Sequence, residues 1–263
     1  MILTMAVYDT PENGRTEMTR RTLLSLGKTV DWTRHRLVVS DNGSCQATHR
    51  LYFEMAGVGV PFELIHNGSN IGTARAINRG WKMRKPGEHA LKLDNDCEIK
   101  SSGWADELEE VFRRDPTMGI CGLKRKDLEE RPDHEIEWYR SQLLMLPHQP
   151  GERWIVVERC RHIMGTCQAY SSTLLDKIGY LYQMGGLYGF DDALASLRAD
   201  IAGFKTVFLP HIEIEHIDPG ITAYSQWKRD YAGQQMKLFE STKADYRTGV
   251  ASIYYDGGPD ISH

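Results

Sequence analysis

The sequence predicts an α/β protein with a mostly parallel central sheet flanked by helices. Three observations carry this. Apolar runs of a few residues alternate with amphipathic stretches of about a dozen through the first two-thirds of the chain, the pattern of βαβ units. Those runs stop at turn-forming clusters, Asp9-Thr10-Pro11-Glu12-Asn13-Gly14, Ser40-Asp41-Asn42-Gly43-Ser44, Asn67-Gly68-Ser69-Asn70 and Asp94-Asn95-Asp96. The chain has 263 residues, 41% hydrophobic and 26% charged, enough to bury a sizeable core in one large domain or two small ones.

Taken in order, Ile2–Tyr8 reads as a strand and Thr16–Lys28 as a helix with Met18, Leu23, Leu24 and Leu26 inward. Leu37-Val38-Val39 is a second strand, Gln46–Ala56 a helix and Phe62–Ile65 a third strand. Gly72–Met83 is a helix and His89–Leu93 a fourth strand. Trp104–Arg114 places Trp104, Leu108, Val111 and Phe112 on one helical face. Met118–Leu123 is a strand, and the charged, proline-bearing stretch Lys124–Arg153 reads as an excursion before strand-like Trp154–Val157. Asp191–Ile201 is a helix with Leu194, Leu197 and Ile201 on one face. Phe204–Leu209 and Ile212–His216 are two short strands, Thr222–Glu240 is a helix, and the tail from Ser241 is loose or docked.

Composition narrows the functional classes. A net charge of -4 disfavours a protein that grips duplex nucleic acid through its phosphates. Arg15, Arg20, Arg21, Lys28, Arg34 and Arg36 form a locally basic region, as do Arg159 to Arg161; charged helix surface is the simpler reading and polymer-phosphate docking the sharper one. No apolar run approaches the roughly 18 residues of a membrane span, so no integral membrane segment is expected. The N-terminus lacks the basic start of a signal peptide. Cys45, Cys97, Cys121, Cys160 and Cys167 are odd in number and without C-x-x-C spacing, which points to a reducing, cytoplasmic setting.

Ligands of a parallel sheet bind beyond the carboxyl ends of its strands. Turns alone account for any one polar cluster there. Four on one edge point to a shared site. Within Asp94-Asn95-Asp96, residues two apart on a strand share a side, and two carboxylates so placed hold a hard divalent cation. Asp191 and Asp192 open a helix, where acids complement the dipole; aimed into a cleft, one also serves as a general base. His216 ends a strand, is either structural or a metal ligand, and would favour Mn²⁺ over Mg²⁺; His211 competes for that role. Gly72 opens a helix whose N-terminus suits an anion, with Arg75 and Arg79 on one face. Tyr224, Trp227, Tyr231 and Leu238 recur at helical spacing and read as core packing or a dimer contact before a sugar-stacking platform.

These pieces, in this order over residues 2–218, resemble glycosyltransferase family 2, the inverting GT-A glycosyltransferases. The resemblance implies a GT-A (Rossmann-like) catalytic domain at 1–218, with a nucleotide-sugar-binding half (1–100) and an acceptor half (101–218). A C-terminal helix and tail follow at 219–263. It places the donor base near Thr4, Tyr8 and Asp41, the diphosphate near Asn70, Gly72 and Arg75, and the ribose or sugar near Asp94. Asp94, Asp96 and His216 would hold Mn²⁺ or Mg²⁺. Gly189-Phe190-Asp191-Asp192 with Arg198 matches the family's acid motif, making Asp192 the general base and Asp191 its neighbour. Met164-Gly165-Thr166 and Ile178-Gly179-Tyr180 look like acceptor-side segments. The implied reaction moves a sugar from a nucleoside diphosphate, UDP by the base motif, to a hydroxyl of a glycan, lipid-linked sugar, protein, metabolite or modified nucleobase. Asn95 departs from the often acidic middle of the D-x-D, and the 124–153 excursion has no counterpart. The contrasting readings are a non-catalytic nucleotide-sugar or glycan-binding module and, more distantly, a sugar-1-phosphate nucleotidyltransferase. The latter lacks its Gly-rich basic loop here, where the chain reads Tyr8-Asp9-Thr10-Pro11.

Overall fold

The computed structural model describes residues 1–126, 142–221 and 223–258. Strand β1 (Ile2–Val7) runs through its middle, which is why it reads as an unbroken apolar run: a parallel strand covered on both faces has no polar side. Helix α1 (Thr16–Thr29), β2 (Arg36–Asp41), α2 (Gln46–Gly57), β3 (Glu63–His66), α3 (Thr73–Trp81) and β4 (Ala90–Leu93) follow. Then come β5 (Cys97–Ile99), α4 (Trp104–Arg114), β6 (Met118–Arg125), β7 (Gln142–Met145), β8 (Val156–Cys160) and β9 (Cys167–Tyr170). The chain continues through α5 (Ser172–Ile178), α6 (Asp191–Ile201), β10 (Lys205–His216) and α7 (Ala223–Thr248).

Among the described residues all ten strands join one sheet, in the order β3-β2-β1-β4-β9-β6-β10-β8-β7, with β5 alongside β10. The first four strands of that path are parallel, β9 is antiparallel to both β4 and β6, and β10 returns parallel to β6. Helices cover both faces. Leu3, Met5 and Val7 pack with Leu23, Leu51, Trp104 and Leu108 on one side. Ile2 and Val38 pack with Ile77, Trp81, Leu174 and Ala195 on the other. The ends of β1, β2 and β4 and the start of α6 thus open toward one edge.

The structure redraws several expected elements. The two strands at 204–216 are one strand of 12 residues; Pro210 and His211 sit in a bulge against β6 between Leu209 and Glu213. Helix α7 runs on to Thr248, because Ser241–Thr248 contains no breaker, so that segment is not tail. Met18 and Ile201 are not core: Thr19 and Thr22 face inward from α1, and Ile201 is 41% exposed. Strand β9 and helix α5 are additions to the expected elements; α5 buries Leu174, Leu175 and Ile178 on one face. Gln168 is buried inside β9, where its amide donates to Ile163 O and accepts from the Tyr170 hydroxyl. Part of the 124–153 excursion lies outside the described residues; its far end forms β7.

After α7 the chain folds back and docks. Tyr180 N donates to Tyr255 O at 2.8 Å, and Tyr255 N to Ile178 O at 2.9 Å. Arg198, fully buried on α6, fastens this return. Its guanidinium donates to Ile253 O (2.7 Å), Tyr180 O (2.9 Å) and Ile178 O. One side chain thus bridges three backbone carbonyls, of which Ile178 O also accepts from Tyr255 N. Arg198→Ala should therefore lower unfolding stability by about 3 kcal/mol, because buried acceptors lose their partner. Urea denaturation reads this directly, and limited proteolysis should shift to the segment around Ile253.

Candidate active site

A cavity of about 320 Å³ opens at the carboxyl ends of β1 and β4 and beneath α7. Of the residues singled out in the sequence, Tyr8, Asn42, Asn70, Asp94, Asn95, Asp96, Met164, Gly165, Thr166, Gly189, Phe190, Asp191, Asp192 and His216 line it, as do Tyr224 and Trp227, for which packing was the first reading and sugar stacking the second. Lys92, Arg15, Arg125, Lys228 and Tyr188 line it as well and are not singled out for this cleft by the sequence.

Strand β4 carries the first half. Lys92 and Asp94, two apart, share a side. A lysine inside the apolar run Ala90-Leu91-Lys92-Leu93 must find a charge partner, and this is the signal by which sequence reading would find it. It finds Asp191, with Nζ 2.7 Å from the carboxylate and both side chains buried. Beyond the strand, Asn95 also lines the cavity, and its amide donates to Asp9 Oδ1 (2.8 Å) and Thr19 Oγ1 (2.7 Å). An aspartate there would face Asp9, so the neutral amide has a physical reason. Asp96 lines the cavity and meets Arg15, with His216 Nε2 at 3.5 Å. Its Oδ1 is buried and has no hydrogen-bond partner.

Helix α6 carries the second half. Phe190 precedes it at φ 61, in the left-handed region costly for a bulky side chain, and stacks on Phe239 of α7 with centroids 4.1 Å apart. That twist aims both acids at the cavity. Asp191 is committed to Lys92. Asp192 accepts from Gly165 N at 2.9 Å and Ala193 N at 2.8 Å, with His162 Nε2 at 3.9 Å; its side chain is 23% exposed. Asp192 is therefore the acid that a ligand can reach.

The environment separates the carboxylates. Burial and the charge of Asp96, opposed by Lys92, push Asp94 up to about 6. Burial opposes ionisation of Asp96, but His216 and Arg15 overcome it and hold that carboxyl well below the usual carboxylate range. Burial likewise opposes Asp192, and His162, Lys92 and the two N–H donors bring it below its ordinary value.

Other expected residues lie elsewhere. Thr4 is buried in β1 under Gly80, where a Cβ would stand 2.5 Å from its side chain; it packs α3 rather than lining the cavity. Asp41 is 1% exposed and accepts from Gly43 N, Ser44 N and the Tyr52 hydroxyl, so its neighbour Asn42 is the one that lines the cavity. Gly72 lies at φ 94 against Gln183 and Leu187. The N–H groups of Thr73 and Ala74 already donate to Leu187 O and Gln183 Oε1, which closes that helix start to an anion. Arg75 lies near Tyr255, outside the cavity lining, and Arg79 donates to Asn67 Oδ1. His211 pairs with Glu107 at 2.8 Å, leaving His216 as the histidine at the site. Tyr224 and Trp227, read as packing residues, reach the cavity wall. Arg20, Arg21, Arg34 and Arg36 each pair with carboxylates, as a charged surface does.

Among the described residues, one trio of His, Cys, Asp or Glu gathers its ligand atoms within 4.8 Å: Asp41, His49 and His66. Asp94 does not join Asp96 and His216 in such a group, and Arg15 stands against Asp96. No helix among the described residues is long and apolar enough to cross a membrane.

A strand-end acid pair facing a helix-borne acid pair across one cleft, on a mixed sheet of this order, is the arrangement of a GT-A glycosyltransferase fold. Residues 12–179 match the sequence profile of Glycosyl transferase family 2, and the chain belongs to that family. No curated protein sequence matches it. Its fold is similar to a mannosyltransferase from Pyrobaculum calidifontis in complex with GDP-Man and Mn²⁺, at TM-score 0.64 and 16% identity over 86% of this chain and 59% of that one. It is also similar to TarS 1-349 of S. aureus (TM-score 0.62, 15% identity, 83% of this chain and 60% of that one). GalNAc-T7 with UDP, GalNAc and Mn²⁺ is a third (TM-score 0.61, 15% identity, 82% and 43%). The chain thus spans about three-fifths of the length of the first of these.

Asp94 supplies a test of the site's electrostatics. Its folded pKa of about 6 lies above the usual 3.8, so ionisation favours the unfolded chain. The cost is absent below about pH 3, grows from there to pH 6 and is complete above. In EDTA, Asp94→Asn should thus gain up to about 3 kcal/mol over wild type at pH 7 and nothing below about pH 3, read from paired denaturation curves.

Proposed function

We propose that the protein is a glycosyltransferase that moves a sugar from a nucleoside diphosphate donor to a hydroxyl acceptor with inversion. The observation that carries this reading is the separation of roles within one cleft. Asp94 and Asp96 end β4, and Asp192 faces the same cavity from α6 with a reachable, ionised carboxylate. The nucleotides and Mn²⁺ in the structural neighbours, UDP among them, support a metal-assisted nucleotide-sugar reaction.

In this scheme residues 1–100 form the donor half and 101–218 the acceptor half, with α7 in 219–263 roofing the cleft. Asp192 takes the proton of the acceptor hydroxyl as its oxygen attacks the anomeric carbon. Attack comes from the face opposite the diphosphate, so the configuration inverts. Lys92 neutralises Asp191 and leaves Asp192 as the base. Tyr188, Tyr224 and Trp227 supply apolar walls that exclude water from the reacting centre. Mn²⁺ or Mg²⁺ fits Asp96 and His216, with Asp94 beside them: Asp96 Oδ1 is buried without a partner, and the imidazole favours Mn²⁺. Bound there, the ion supplies positive charge against the leaving diphosphate. Five unpaired cysteines fit a reducing compartment such as the cytoplasm.

Thermal-shift screening of UDP-, GDP-, CMP- and dTDP-sugars with and without Mn²⁺ should show the largest rise for a UDP-sugar with Mn²⁺. In turnover, Asp192→Asn should lower kcat by about 10²–10⁴-fold with donor affinity kept. Undiminished turnover by that variant contradicts the assignment of the base.

A further inference from the structure

Arg15 precedes α1 on the loop after β1 and is 4% exposed. Its guanidinium is shared between two carboxylates. One nitrogen donates to Asp218 Oδ2 at 2.8 Å; the other donates to Asp96 and lies 3.4 Å from Asn95 Oδ1. The Tyr224 ring packs against it, with the centroid at 5.0 Å. The two acids differ in what else they have. Asp218 also accepts from Gly220 N (2.9 Å), the Ser225 hydroxyl (3.1 Å) and Lys228 Nζ (3.2 Å). Asp96 has His216 at 3.5 Å and one oxygen with no partner. Asp218 is thus satisfied without Arg15, whereas Asp96 draws its main countercharge from it.

We infer that Arg15 is a resident cation on Asp96 that competes with the divalent ion and yields to it when the donor binds. This rests on the proposed metal-assisted reaction. A buried carboxylate needs a positive partner at all times. Guanidinium and a divalent ion cannot both sit against Asp96 without strong repulsion, since like charges a few ångströms apart in a partly buried site are costly. Arg15 can release Asp96 while keeping Asp218, which turns its freed N–H groups toward the cleft, where planar bidentate donors suit phosphate oxygens. The ion must displace a charged hydrogen bond in either case; with a nucleoside diphosphate present that loss is offset, because the phosphates take over the guanidinium. Metal and nucleotide binding are therefore coupled through this side chain, each strengthening the other by the same factor.

The experiment measures Mn²⁺ affinity from the free-ion electron paramagnetic resonance signal, with and without UDP, in wild type, Arg15→Gln, Arg15→Lys and Lys228→Gln. Lys228→Gln removes the same charge from Asp218 without touching Asp96, so it reports the general field. Arg15→Gln should tighten Mn²⁺ alone by about tenfold, Lys228→Gln by about twofold or less, and UDP should enhance Mn²⁺ binding less in Arg15→Gln than in wild type. Arg15→Lys, which keeps charge but not the fork, should fall between wild type and Arg15→Gln, and it carries the test if the glutamine variant does not fold. Unchanged or weaker Mn²⁺ binding in folded Arg15 variants, or equal tightening by Arg15→Gln and Lys228→Gln, overturns the inference. No Mn²⁺ binding by any of the proteins, with UDP present, overturns the metal assignment beneath it.

Discussion

The buried ion pair between Lys92 and Asp191, at 2.7 Å, is the contact on which the site depends. It ties the end of a central strand to the first turn of a helix 99 residues later. Neither charge is tolerable alone in that position, and breaking such a pair by removing one partner typically costs about 3–5 kcal/mol. The pair therefore fixes the distance between the β4 acids and the α6 acids, and the rest of the cleft is arranged around that distance.

Two adjacent aspartates of identical chemistry acquire different surroundings through this contact. Asp191 is held at 8% side-chain exposure by the ammonium; Asp192, at 23%, accepts from two backbone N–H groups and has His162 at a longer distance. The left-handed turn at Phe190, secured by stacking on Phe239, presents both acids to the cavity. Helix α7 thus affects the site twice, through Phe239 beneath the acid turn and through Tyr224, Trp227 and Lys228 at the cavity wall.

Much of the fold was legible because its strands obey simple rules. The apolar runs of β1, β2 and β4 and the stripe of α4 follow from burial on both faces or on one, and local composition records that directly. Strand β9 escaped because its central Gln168 is satisfied by Tyr170 and Ile163, a pairing that composition does not encode. At the site, Asp94, Asp96, Asp191, Asp192 and His216 were legible as acids or imidazole at element ends. Arg15 was not: its partners Asp96 and Asp218 lie 81 and 203 residues away, and nothing near it in sequence distinguishes it from a surface arginine. Thr4, Asp41, Gly72 and Arg75 illustrate the converse. Each occupies a motif position, and each is used here in packing, in turn hydrogen bonds or against the docked C-terminal segment.

The proposed reaction centres on a cation held by Asp96 in a cleft that Asp192 faces. Crystals soaked with Mn²⁺ and UDP, with data collected at the manganese absorption edge, test this most directly. An anomalous peak in the coordination shell of Asp96, next to the diphosphate, is the result the account predicts. A peak lodged between Asp41, His49 and His66, or one beside the diphosphate but apart from Asp96, contradicts it.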